Sequence, residues 1–245
     1  MNDKNLDTKV KNYINFLKKQ PKGFVYKDDT EKQEAAKFAA VSTPTISISK
    51  TEAESKSRQD MLDEIKCKFK NCQECPLSKQ GRAQVVFGVG NPFTKIMFVG
   101  EGPGRDEDAQ GKPFVGRAGQ LLTKIIEAMK LTRDEVYISN VVKCRPPDNR
   151  TPLPNESDIC KKLILFKEIE IIKPQIICAL GATATQGLLG SDANISRSRG
   201  IFFKFGDVLV LPTYHPAYLL RNPDAKKIVW EDMKKIMEKL NELNS

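Results

Sequence analysis

Apolar and polar positions change their period several times along this chain, and the changes divide it. Val10, Ile14 and Leu17, with Tyr13 and Phe16 beside them, are spaced for one short amphipathic helix. From Tyr26 to Arg58 the apolar rhythm stops, and STPTISISKTEAESKS reads as linker with too little apolar surface to build a core. From Met61 onward, short apolar runs alternate with helical spacing. MLDEIKCKFK predicts a helix, followed by strands over 95–99, 136–142, 175–180 and 208–211. Helices are predicted over 119–129, 156–172, 182–189 and 223–243. Ile176-Ile177-Cys178-Ala179-Leu180 is apolar throughout, as expected of a strand covered on both faces. This alternation predicts an α/β fold with a mainly parallel sheet between helices. Residues 1–60 then form an extension, a short helix plus flexible linker, and residues 61–245 the folded domain.

Composition adds a direction. The 245 residues carry 40 Lys and Arg against 31 Asp and Glu, a formal charge of +9. Such an excess favours a polyanionic partner, most simply nucleic acid, through phosphate contacts and counterion release. The first residues contain no uninterrupted apolar stretch of a secretory signal, and nothing approaches the roughly 20 apolar residues of a membrane span. The expectation is a cytoplasmic protein with no membrane partner, nucleoid-associated in a prokaryote, with reduced thiols. For six cysteines in that setting, metal ligation is a better default than disulfides.

The segment 100–122, GEGPGRDEDAQGKPFVGRAGQLL, is the richest in candidate chemistry. It follows a predicted strand and mixes glycines with the carboxylates Glu101, Asp106, Glu107 and Asp108 and the lone aromatic Phe114. Strand ends of open α/β sheets are where such folds bind ligands. Acids stand where a phosphate would go, and no Lys-Ser/Thr follows, so a nucleotide-binding loop is disfavoured. Two further strand ends carry polar groups. Asn140 sits in VYISNVV, where a buried amide must be hydrogen-bonded to something. His215, the only histidine, follows the strand over 208–211 in LPTYHPAYLLRNP. Carboxylates with an aromatic, an amide and an imidazole make a pocket for a flat, hydrogen-bonding ring.

The cysteines fall at 67, 72, 75, 144, 160 and 178. Cys72 and Cys75 form a tight pair; Cys144 and Cys160, separated by fifteen residues, form a looser one. Four thiolates from two distant segments suit either zinc or an iron–sulfur cluster. Cys67, Cys72 and Cys75 also match the plant-type ferredoxin spacing, which would make the protein an electron carrier. Cys67 lies on a helical pattern, however, and Cys178 in its apolar strand reads as an ordinary buried thiol.

Four stretches in order, CQECPL, the 100–122 segment, VYISNVVKCRPPDNRTPLP and HPAYLLRNP, together resemble the family 4, iron–sulfur uracil-DNA glycosylases over about residues 61 to 243. The resemblance implies a three-layer α/β/α domain with a four-stranded parallel sheet. It also implies a structural [4Fe-4S] cluster on Cys72, Cys75, Cys144 and Cys160. The function implied is DNA repair: uracil, in single- or double-stranded DNA, is flipped out and its N-glycosidic bond hydrolysed.

Residue roles follow from the same resemblance. Phe114 would stack on uracil, Asn140 would read its N3–H and O4, and Glu107 would stand at C5 to reject thymine. Gly102 and its neighbours would bring backbone amides to the base. His215 would stabilise charge growing at O2, and Glu101 would position or deprotonate the attacking water, with Asp108 in support. Leu219, Leu220 or Arg221 would fill the space the base leaves. The expected protein is a monomer, with the N-terminal extension free to meet a replication or repair partner. The rival readings are a uracil-DNA binder without turnover and an iron–sulfur electron carrier. Covalent uracil-trapping relatives carry a histidine in the loop after the Asn140 strand, and CRPPDNR here has none.

Overall fold

The computed structural model describes residues 57–245. The helix and linker expected within residues 1–60, and any partner-binding arm there, lie outside the described residues up to Lys56. The helix expected to open at Met61 begins earlier, at Arg58, because the Ser57 hydroxyl caps it and Asp60 bonds back to the Ser57 amide.

The strands are β1 (Val89–Gly90), β2 (Ile96–Gly100), β3 (Tyr137–Asn140), β4 (Ile176–Leu180), β5 (Phe203–Phe205) and β6 (Val208–Thr213). They form one sheet in the order β1-β3-β2-β4-β6-β5. The four predicted strands, β3, β2, β4 and β6, run parallel at its centre. The expectation of a four-stranded parallel sheet is corrected at the edges, where β1 and β5 pair antiparallel and make the sheet mixed. Neither edge strand has a sequence signal. β1 is two half-buried residues, and β5 is the alternating Phe203-Lys204-Phe205, too short and too exposed for an apolar run.

The helices are α1 (Arg58–Phe69), α2 (Arg105–Gln110), α3 (Arg117–Ala128), α4 (Pro154–Cys160), α5 (Phe166–Ile172), α6 (Gly181–Leu189), α7 (Ile195–Ser198), α8 (Pro216–Arg221) and α9 (Ala225–Glu242). Side chains alternate across the central strands. Met97, Val99, Ile177 and Ala179 pack with Leu62 and Ile65 of α1 and Ile169 of α5. Ile96, Phe98, Ile176 and Cys178 pack with Leu122 and Ile126 of α3 and Val229, Met233 and Ile236 of α9. Both faces of the sheet are therefore buried, which is why its strands read as unbroken apolar runs. Each fully buried aliphatic or aromatic side chain contributes about 2 kcal/mol. Two such layers fix the strand ends on which the site is built.

The helix predicted over 156–172 is α4 and α5 joined by a π-helical turn at Lys161–Leu165, directly after Cys160. Such insertions mark functional positions. Among the described residues no helix is long and apolar enough to cross a membrane.

Candidate active site

Parallel pairing sets Gly100, the last residue of β2, beside Asn140, the last residue of β3. A Cβ at Gly100 would lie 2.5 Å from Asn140 Oδ1 and 2.5 Å from Phe114 Cζ, so no side chain fits and the amide and the ring meet over bare backbone. Phe114 also stands 5.5 Å, ring centre to ring centre, from His215. Three residues chosen from separate strand ends are thus neighbours. Gly181, at φ +86, opens α6 so close to His215 that a Cβ there would lie 3.0 Å from the histidine's own Cβ. A β-carbon at this dihedral would be strained as well as crowded.

The 100–122 segment is not all loop, as expected, but contains α2. Its acids at 106–108 occupy the first helical turn, where they complement the helix dipole. Glu107 accepts from the amides of Val115 (2.9 Å), Gly116 (2.8 Å) and Gly104 (3.1 Å). Its carboxylate is therefore spent on closing the turn that presents Phe114. Asp108 is buried and accepts from the amides of Ala83 and Gln84, tying α2 to the segment before β1. The clamp matters because Phe114 sits at φ +53, an uncommon conformation for an aromatic residue. The Arg133 guanidinium helps by donating to the Pro113 carbonyl at 3.0 Å. Gly102 lies against Val142, with 2.6 Å from a would-be Cβ to Val142 Cγ2.

Asn140 is 2 % exposed, yet its Oδ1 has no hydrogen-bond partner. A buried acceptor left unsatisfied costs about 1–3 kcal/mol, a cost that a ligand donor can remove. Glu101 is held by a residue with no sequence signal of its own: the Thr183 hydroxyl, in the first turn of α6, donates to its carboxylate. His215 caps α8, its Nδ1 accepting from the Ala217 amide at 3.1 Å. Desolvation, with a smaller push from the Arg221 guanidinium, lowers His215 from its ordinary 6.5 to about 4. At neutral pH the ring is therefore neutral. Because Nδ1 is an acceptor, its proton is on Nε2, which leaves one N–H to donate.

Cys72, Cys75, Cys144 and Cys160 line one small pocket with Glu74, Val85, Lys143, Ile159, Leu163 and Ile164. Burial pushes the Cys144 and Cys160 thiols up to about 12 and raises Cys75. Such thiols become ligands only if a metal displaces their protons. The Lys143 amide donates to Cys160 Sγ at 3.3 Å, and Arg82 lies beside Cys144. Arg82 also donates to the Cys72 carbonyl at 2.6 Å. Among the described residues no three His, Cys, Asp or Glu side chains converge on a point suited to one ion. Four thiols spread around a chamber, with an N–H and a cation turned to the sulfurs, fit a cluster in which each iron takes one thiolate. Cys67 is exposed on α1 and does not line the cavity, so the ferredoxin spacing has no structural counterpart. Cys178 is fully buried between β2 and β6.

After His215, Leu219 is 1 % exposed and belongs to the core, while Leu220 and Arg221 are exposed. Leu219 is thereby removed from the candidates for filling a vacated base position.

Comparison with known proteins agrees with this geometry. Residues 87–234 match the model of the Uracil DNA glycosylase superfamily. The chain is 47% identical over 183 residues to the type-4 uracil-DNA glycosylase of Thermotoga maritima, covering 73% of this chain and 94% of that protein. Type-4 uracil-DNA glycosylases of Sulfurisphaera tokodaii and Saccharolobus solfataricus are 46% and 44% identical, across 73% and 74% of this chain and 84% and 88% of theirs. The chain belongs to the uracil DNA glycosylase superfamily, in its type-4 branch.

Proposed function

We propose that the protein excises uracil from DNA by hydrolysing its N-glycosidic bond, and that residues 61–245 carry the activity. The observation that carries this reading is the buried, unpartnered Asn140 oxygen beside the Phe114 ring, with the His215 imidazole next to it.

To reach these groups, uracil must leave the base stack, at a cost of a few kcal/mol. Phe114 then stacks on the ring. Asn140 Oδ1 accepts from N3–H and its amide donates to O4. Cytosine presents an acceptor at N3 and a donor at C4, so both bonds fail, at about 1–3 kcal/mol each. Thymine has uracil's edge plus a methyl at C5 and is refused by volume. Glu107 serves there as a brace, since its oxygens keep the turn at Gly104 and Val115–Gly116 closed. Asp108 supports the same wall from behind.

As the C1′–N1 bond breaks, its electron pair goes to uracil and the sugar becomes oxocarbenium-like. The neutral His215 donates Nε2–H to O2, where the negative charge gathers, aided by backbone amides around Gly102. Glu101, steadied by Thr183, orients water toward C1′ and takes its proton, leaving an abasic site and a uracil anion that takes up a proton from solvent as Glu101 returns its own. Leu220 and Arg221 remain to hold the space the base vacates.

The four cysteines Cys72, Cys75, Cys144 and Cys160 are assigned to a [4Fe-4S] cluster. When bound, it supplies a rigid node joining the segment before β1 to the segment between β3 and α5.

Incubating the purified protein with a uracil-containing oligonucleotide, then alkali, tests the activity. Strand breaks at uracil are expected, and their absence refutes the reading. Glu101→Gln and His215→Ala should each lower the single-turnover rate by about 10²–10³-fold; normal rates in both would remove their roles.

The sole histidine gives a clean titration by NMR. Its resonances should report a neutral Nε2–H ring throughout about pH 5 to 8, the range in which an unperturbed histidine would change charge. A midpoint near 6.5, the ordinary value, contradicts the assigned state. Between about 4 and 6.5 the unfolded chain holds a proton on this residue that the folded chain does not, so its effect on stability is a rise with pH over that window and no change above it.

The protein purified without oxygen should be brown and contain about four irons and four sulfides per chain. Cys160→Ser should lose that colour and iron. Stoichiometric zinc in place of iron would overturn the assignment.

A further inference from the structure

Beneath Asn140 lies a charged group that neither recognition nor cleavage accounts for. Lys143 is fully buried, and so is its partner Glu168, at 0 % and 2 % side-chain exposure. The ammonium has three donors and finds three acceptors: Ser139 Oγ at 2.5 Å, Glu168 Oε2 at 2.8 Å and the main-chain carbonyl of Asn140 at 2.8 Å. Glu168 is equally satisfied. Its Oε2 also accepts from the Ser139 hydroxyl at 2.7 Å, its Oε1 accepts from the Gly88 amide at 3.1 Å, and the Tyr137 hydroxyl bonds to the carboxylate.

Stability gives no reason for such an arrangement. Taking two charges out of water costs several kcal/mol per ion, and apolar side chains of similar volume would commonly hold a core as well. What apolar side chains cannot do is grip a carbonyl. Asn140 is the last residue of β3, and Lys143 lies just beyond it, past Val141 and Val142. The amides of Val141 and Val142 are bound to the carbonyls of Gly100 and Glu101, so the chain around Asn140 is fixed on the β2 side by the sheet. Its own carbonyl is fixed by the buried lysine. Lysine's three rotatable donors suit a point where three acceptors converge. Lys143 is itself anchored from the cysteine side, its amide bonded to Cys160 Sγ and the residue lining the same pocket.

We infer that Lys143, with Glu168 and Ser139, is a positioning device for Asn140: it sets the main chain from which the base-reading amide projects, and so contributes to selection of uracil without touching it. The inference rests on the base-reading role of Asn140 proposed above. Asn140 Oδ1 has no protein partner of its own, so its aim depends on the backbone that carries it.

Lys143→Met alone leaves a buried carboxylate unpaired, so the neutral pair K143M/E168Q is the variant to study. The readout is a ratio of affinities: for a duplex carrying one 2′-fluoro-2′-deoxyuridine, which resists cleavage, over the same duplex with thymidine. The ratio cancels phosphate binding and does not move with global stability. It is measured for the wild type, N140A, K143M/E168Q and the triple variant, with thermal midpoints recorded for each. The expected result is a drop of about tenfold in the ratio for K143M/E168Q, and a triple variant within about twofold of N140A. An unchanged ratio in folded K143M/E168Q overturns the inference, as does the same fold-loss whether or not N140A is also present. If the neutral pair does not fold, S139A keeps the ion pair and only loosens the ammonium; it is then expected to lower the ratio about two- to fivefold, and only when Asn140 is present. A wild-type ratio of one would instead refute the uracil reading itself.

Discussion

Everything at the site hangs on one close approach. Gly100 ends β2 level with Asn140, and the space above it is shared by the Asn140 amide and the Phe114 ring. A methyl group there would push both away. The sheet register makes that approach repeatable, since Gly100 and Asn140 are neighbours only while β2 and β3 stay paired in step. The two apolar layers on either side of the sheet hold the register. Core packing and recognition are therefore one construction.

The polar groups around that point are arranged so that few are left without work. Glu107 and Asp108 spend their carboxylates on backbone amides, which holds Phe114 in a strained conformation it would not choose alone. His215 uses one nitrogen, Nδ1, to cap α8. Thr183 steadies Glu101, and Lys143 steadies Asn140. Against this background Asn140 Oδ1 is a buried acceptor at the strand ends that no protein donor reaches. Low local dielectric strengthens whichever hydrogen bond it accepts and penalises a base that offers the wrong group.

Much of this was legible in the sequence, and the exceptions have physical causes. The four central strands announced themselves as apolar runs, and Asn140 was conspicuous as an amide inside one of them. The pairing of Cys72 and Cys75 with Cys144 and Cys160 followed from family resemblance, and in the structure the four do line one chamber. What stayed hidden depends on contacts between distant segments. The glycines around α2 masked a helix whose acids read as loop chemistry. The edge strands were too short to carry a pattern. No pattern in the sequence marks Lys143 or Glu168 as buried. Only the fold brings them together in the interior. Thr183 carried no signal, because a threonine at a helix start is ordinary until a carboxylate is found opposite it.

The central claim is that the Asn140 oxygen, buried and unpaired, is the reader of uracil. A crystal structure of the protein with free uracil tests it most directly. The account predicts the ring stacked on Phe114, with N3 at a hydrogen-bond distance of about 2.9 Å from Asn140 Oδ1 and O2 facing His215 Nε2. Uracil bound elsewhere, or an Asn140 side chain turned away into a bond with the protein, would contradict it.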